Sequence, residues 1–142
     1  MSFGEDIARN LETIREERER RYVAAHLLLD VLGTKYKESG VVCEVEIHKG
    51  HDVHAFYRLS ERAERVIHVQ AYPGLSTDSE LLIATQILSH GRMMSLRAAG
   101  KCSIGNEHDA VIKNQRQTSN MRVPYAVEEL ETKLAEIYGL HT

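Results

Sequence analysis

Tryptophan is absent from this sequence, and proline, cysteine and phenylalanine occur only twice each. The two cysteines, Cys43 and Cys102, form no CxxC pair and have no metal-ligand spacing. They exclude a disulfide framework, and reduced, buried thiols are expected instead. No long apolar run is present. The longest, Val23 to Leu32, is interrupted by His26 and Asp30 and falls short of the roughly 20 residues a membrane helix needs, so it reads as a buried helix face. The start, Met1-Ser2-Phe3-Gly4-Glu5-Asp6, lacks the basic residues and apolar centre of an export signal, which makes the cytoplasm the expected location. A net charge of −3 gives no electrostatic footprint for nucleic acid. GxSxG, GxxxxGK[ST], HExxH and GxGxxG are all missing, and no glycine-rich loop precedes Gly100-Lys101-Cys102-Ser103 to make it a phosphate cradle. Neither an enzyme nor a cofactor is indicated.

What is there is an ordinary globular composition, 42% hydrophobic and 27% charged, with no repeat, low-complexity tract or linker. One α+β domain over residues 1–142 is expected, with 2–21 as a charged helical N-terminal extension. Ser2-Phe3-Gly4-Glu5 has the pattern of a capping box, which opens a helix. Ile7, Leu11, Ile14, Tyr22, Ala25, Leu29 and Leu32 recur every three or four residues as its apolar stripe, and Gly33 is the expected stop. The run Arg15 to Arg21 breaks the stripe at Arg18, so the pattern predicts either one long helix or two helices meeting near Arg21. Its charges fall in i, i+4 pairs, Glu16 with Arg20 and Glu17 with Arg21.

From Val41 the period changes to two. Val41, Cys43, Val45 and Ile47 form the apolar face of a first strand, Val53, Ala55, Tyr57 and Leu59 that of a second, and Ile67, Val69 and Ala71 that of a third. Keeping these sets on one side requires an odd-length loop around Gly50, of three or five residues, because a one-residue slip would turn a strand over. The expected antiparallel meander therefore spans Val41 to Tyr72.

Beyond Pro73-Gly74, Thr77-Asp78-Ser79-Glu80 looks like a second capping box, opening a helix through Leu81, Leu82, Ala84, Ile87 and Leu88. Residues 92–99 fit a helix or an extended segment equally. Lys101 to Gly105 and Ala110 to Arg116 suggest a polar hairpin. Thr118 to Val123 is expected as a loop, with Pro124 in the first turn of a last helix that carries Val127, Leu130, Leu134 and Ile137 on one face and ends at Gly139.

Five of the eight histidines fall between His48 and His90. Alternation puts Glu44, Glu46, His48, His54, Phe56, Arg58, His68, Gln70 and Tyr72 on the sheet face opposite the core. A solvated antiparallel sheet commonly presents such a face. The functional alternatives are a binding surface, or a metal site for which His48, His54 and His68, near Glu46, are the candidate ligands. A Cys43 dyad with His54 or His68 is opposed by the same alternation, which assigns Cys43 to the core side. Ile7, Leu11 and Ile14, separated from the core by the charged run, are candidates for a dimer contact or a partner-docking arm, or belong to a solvated, fraying helix.

The order helix, three-strand meander, helix, hairpin, helix resembles the fold shared by type III secretion chaperones and YbjN-like proteins. The segments carrying the likeness are His26 to Gly33, the helix Ser79 to Leu88, the hairpin Gly100 to Ile104 with Ala110 to Lys113, and the closing helix Glu128 to Ile137. The resemblance implies a small homodimer without cofactors that binds an extended segment of a client protein. The sequence differs from those chaperones in being less acidic, at a pI of about 6.2, and in its charged N-terminal extension. The expected function is thus a protein-binding module, a chaperone or adaptor for a segment of another protein. A ligand or metal site, with or without enzymatic activity, on the histidine-bearing face is one alternative. A phage or mobile-element regulator is another.

Overall fold

The computed structural model describes residues 3–98 and 120–140. They form an α+β fold of three helices and a five-stranded antiparallel sheet. The elements are α1 (Phe3–Ser39), β1 (Val42–Lys49), β2 (Val53–Leu59), β3 (Arg65–Ala71), a single 3-10 turn at Pro73–Leu75, β4 (Glu80–Ser89), α2 (His90–Ala98), β5 (Met121–Pro124) and α3 (Val127–Tyr138). Strand order follows chain order, β1-β2-β3-β4-β5. No described helix is long and apolar enough to cross a membrane.

The helix α1 is continuous through the charged run. It also passes through Gly33, the expected stop, and ends at Gly40, whose φ of +81° a side chain would resist. Gly33 has a different purpose. A Cβ there would sit 2.7 Å from Val45 Cγ1 and 3.1 Å from Tyr57 Cε1, so glycine lets the helix lie against β1 and β2. One turn earlier, the Tyr57 hydroxyl donates to the Leu29 carbonyl at 2.6 Å, joining helix to sheet across that close contact.

The main core lies between one face of the sheet and α1 with α3. Ala25, Leu28, Leu29, Leu32 and Tyr36 from α1 and Leu130 and Leu134 from α3 pack on Val53, Ala55, Tyr57, Ile67, Val69, Ala71, Leu81, Ile83 and Val123. Burying each large side chain contributes about 1.5–3 kcal/mol. Only one side of the apolar run 23–32 is buried this way, the side of the expected stripe Ala25, Leu29 and Leu32. Val23, Leu27 and Val31 point outward at 65%, 59% and 42% exposure.

The three-strand meander, its odd three-residue loop at 50–52 and its core residues on β2 and β3 are as expected. Cys43 is not. A bulge between Val42 and Glu44 puts Val42 into the core and leaves Cys43 exposed. The expected helix over Ser79 to Leu88 is the strand β4, so one segment that carries the chaperone resemblance is extended. Thr77 Oγ1 does accept from the Glu80 N–H at 3.0 Å, as a capping box would. That bond closes a turn, in which the Thr77 N–H also donates to the Glu80 carbonyl at 2.9 Å. β4 is bonded to β3 on one side and β5 on the other and is largely buried toward both faces, so it lacks the polar alternation of an exposed strand.

The expected loop 118–123 supplies β5 from Met121 onward, and Pro124 closes that strand instead of opening a helix, as suits an edge position. α3 begins at Val127 and ends as expected at Gly139, whose φ is +67° and whose N–H donates to the Ala135 carbonyl at 2.8 Å. Residues 92–98 are helical, within α2. The hairpin expected over 101–116 lies outside the described residues.

Candidate functional site

The far face of the sheet is built in rows by the strand register. Glu44, Arg58, Val66 and Leu88 form one row across β1 to β4, Glu46, Phe56, His68 and Gln86 the next, and His48, His54, Gln70 and Ala84 a third. The expected surface residues of the three meander strands therefore do share a face. Its centre is not solvated, with His68 0% exposed, Gln70 1%, Phe56 3% and His54 9%, while Glu44, Glu46, His48 and Arg58 toward the β1 edge are half-buried. At its far end Met93 of α2 joins Phe56, Val66 and Leu88 in a second apolar cluster.

Within this interior the polar groups find one another. His54 Nδ1 lies 3.0 Å from His68 Nε2, and His68 Nδ1 lies 2.9 Å from Gln86 Nε2. With the Gln86 amide nitrogen donating, His68 Nδ1 is bare, its proton is on Nε2 and it donates to His54 Nδ1; with the amide turned over, Gln86 Oε1 accepts from His68 Nδ1 and the bond between the two rings runs the other way. Both rings are then neutral, since a proton added at either inner nitrogen would set two donors against each other. Burial pushes the His68 imidazole well below its ordinary pKa, and neighbouring His54 and His48 push the same way. His54 is also lowered by burial, against the pull of Asp52. Gln86 Oε1 is buried without a hydrogen-bond partner among the described residues.

Ring packing fixes the pair. Phe56 stacks on His68 at 4.4 Å between centroids, and the His48 ring meets Phe56 edge-on at 5.4 Å. His48 Nε2 lies 3.2 Å from Glu46 Oε2, Arg58 bonds Glu44 at 3.3 Å and the Ala63 carbonyl at 2.6 Å, and Gln70 donates to Asp52 at 3.1 Å. The three metal candidates do not converge, because His54 and His68 face each other while His48 turns to Glu46. No group of three or more His, Cys, Asp or Glu side chains among the described residues is placed to hold a metal ion.

Tyr72 lies past the end of β3, in an open depression of roughly 390 Å³ lined by Arg18, His51, Asp52, Gly74 and Leu75. Arg18 crosses from α1 to donate to the His51 carbonyl at 2.9 Å, and Tyr22 donates to the Gly50 carbonyl at 3.0 Å. Arg20 and Arg21 both bond Asp78, at 2.9 and 3.1 Å, and hold its carboxyl below the usual range. The charged run is thus the part of α1 that ties it to the β1–β2 loop and to the approach to β4. N-terminal to it, Ile7, Leu11 and Ile14 stand 43%, 62% and 60% exposed.

Sequence patterning missed Gln86, Ala84 and Leu88, which complete the far face, because β4 was expected as a helix. β-branched residues at 83, 85 and 87 were the available signal for a strand. Comparison with models of known protein families, with curated proteins and with solved structures finds no match for this chain.

Proposed function

We propose that the protein is a non-enzymatic binding module whose docking element is the N-terminal third of α1, and that its client is an amphipathic helical segment of another protein. One observation carries this. Ile7, Leu11 and Ile14 continue, at the same three- and four-residue spacing, the stripe that Tyr22, Ala25, Leu29, Leu32 and Tyr36 lay against the sheet, yet they are exposed where most of those residues are buried. Every residue from 4 to 16 is exposed, so this stretch of α1 gains no stability from packing on the sheet. A partner helix laid on the seam would remove its apolar side chains from solvent, at i, i+4 and i+7.

The sheet edges offer a poorer route. β1 is bulged and carries Glu44, Glu46 and Lys49, and β5 is short and ends in proline, both of which discourage an added strand. The histidines of the far face already bond one another or a neighbouring carboxylate.

A photo-crosslinking residue placed at Leu11 tests this against the same residue at Arg9, on the opposite side of α1. The expected result is a protein adduct at position 11 that is absent at 9 and is lost when Ile7 and Ile14 are changed to Asp. Equal adducts at both positions, or none at 11, would remove the seam as the docking element.

A further inference from the structure

The outward side of α1 carries a second stripe that the seam at Ile7 to Ile14 does not use. Arg20, Ala24, Leu27, Val31, Thr34 and Glu38 are spaced 4, 3, 4, 3 and 4 residues apart, the repeat that lets two helices run side by side at a shallow angle. Leu27 and Val31 at its centre are 59% and 42% exposed, and Val23 beside them is 65% exposed. A helix apolar on both sides is normally covered on both sides. Here the sheet covers one.

The stripe reads the same from either end. About the level of Leu29, Leu27 is placed as Val31 is, Ala24 as Thr34 is, and Arg20 as Glu38 is, with opposite charge. Arg20 and Glu38 each lie nine residues from that level, about 13 Å along the axis. We infer that this face pairs with the same face of a second copy of the chain, α1 antiparallel to α1 about a two-fold axis at Leu29. Leu27 then packs on the Val31 position of the other copy, and small Ala24 and Thr34 let the helices approach. Arg20 meets the Glu38 position at both ends. Such an interface is self-complementary, as a closed dimer requires. A parallel pairing would instead set Arg20 on Arg20 and Glu38 on Glu38. To reach Glu38 of the other copy Arg20 gives up its 2.9 Å bond to Asp78, which keeps Arg21 at 3.1 Å. The pairing is independent of the client seam, which lies at the other end of the helix.

Sedimentation equilibrium of the full chain over a concentration series tests it. The protein should associate reversibly to a dimer. Leu27→Glu, at an exposed position that leaves the core untouched, should raise the dimer Kd by roughly tenfold or more. Arg20→Glu and Glu38→Arg should each weaken the dimer, and the double variant R20E/E38R should recover most of the loss, since the pairs are restored with reversed sign. Changing Ile7 and Ile14 to Asp should leave the dimer intact while abolishing the client adduct at position 11, so the two proposals fail separately. A chain that stays monomeric at every concentration, a dimer indifferent to Leu27→Glu, or a double variant no tighter than its parents would overturn the pairing.

Discussion

The buried histidine pair makes stability depend on pH in a way whose size and sign follow from the structure. Both rings have folded-state pKa values below the ordinary 6.5. The unfolded chain therefore binds these protons more readily than the folded one, and stability is fully present above about pH 6.5 and falls as the pH drops below it. For a ring that stays neutral in the folded protein, the loss is about 1.4 kcal/mol per pH unit, so about 2 kcal/mol at pH 5. His68, with no exposure and with Gln86 and His54 on its two nitrogens, should show the whole of this. Carboxylates such as Asp78 contribute only at lower pH, where they begin to protonate. The assay is urea unfolding followed by far-UV circular dichroism from pH 7.5 to 5, on the wild type and on His68→Gln, whose amide cannot ionise in this range. The wild type should lose about 2 kcal/mol more than the variant over that interval. Parallel profiles would mean that His68 accepts a proton in the folded state, and the neutral hydrogen-bond chain described above would be wrong.

Two buried tyrosine hydroxyls should respond oppositely to removal. Tyr57→Phe deletes the 2.6 Å bond to the Leu29 carbonyl and should cost about 1 kcal/mol, whereas the Tyr36 hydroxyl is buried without a partner among the described residues, so Tyr36→Phe should be neutral or stabilising by up to about 1 kcal/mol in the same unfolding assay. Gly33→Ala, which in an open helix would add about 1 kcal/mol, should destabilise by about 1–2 kcal/mol because the new methyl meets Val45 at 2.7 Å. Gly40→Ala meets nothing and should lose about 1 kcal/mol through its positive φ alone. In the native protein Cys43 should react with a maleimide at close to the rate of a free thiol, and a Cys43→Ser control identifies the labelled site by mass spectrometry.

Periodicity served well wherever one face of an element is buried and the other wet. It located α1, the strands β1 to β3 and the odd-length loop between His48 and His54, and α3 with its glycine stop. It failed where that contrast vanishes. Leu81 to Leu88 is largely buried toward both sides of the sheet, so the strand imitates a helical spacing, and the Thr77 to Glu80 capping pattern reinforced the error by closing a turn. Cys43 was misplaced because alternation cannot foresee a bulge. Val23, Leu27 and Val31 stand outside the stripe of Tyr22, Ala25, Leu29 and Leu32, and the stripe rather than the whole apolar run 23–32 marks the side that finds the sheet. The far face was identified residue by residue, but alternation assigns a side and is silent on depth. The contacts of His54 with His68, of His68 with Phe56 and Gln86, and of Gln70 with Asp52 run between strands or to the β1–β2 loop, and alternation does not encode them.

The strand order has a kinetic consequence. β1 to β4 are neighbours in the chain as well as in the sheet, joined by short connections, so each pairing closes a small loop at small entropic cost. β5 is the exception, since Ile83 must find Met121 across α2 and the residues that follow it. The first four strands and α1 should assemble as one early unit, with β5 and α3 added last and detaching first. Amide exchange should then be faster at Arg122 and Val123, and along α3, than at Tyr57, Ile67 and Val69. A change in the span between β4 and β5 would alter how quickly the last strand docks more than how firmly the first four hold together.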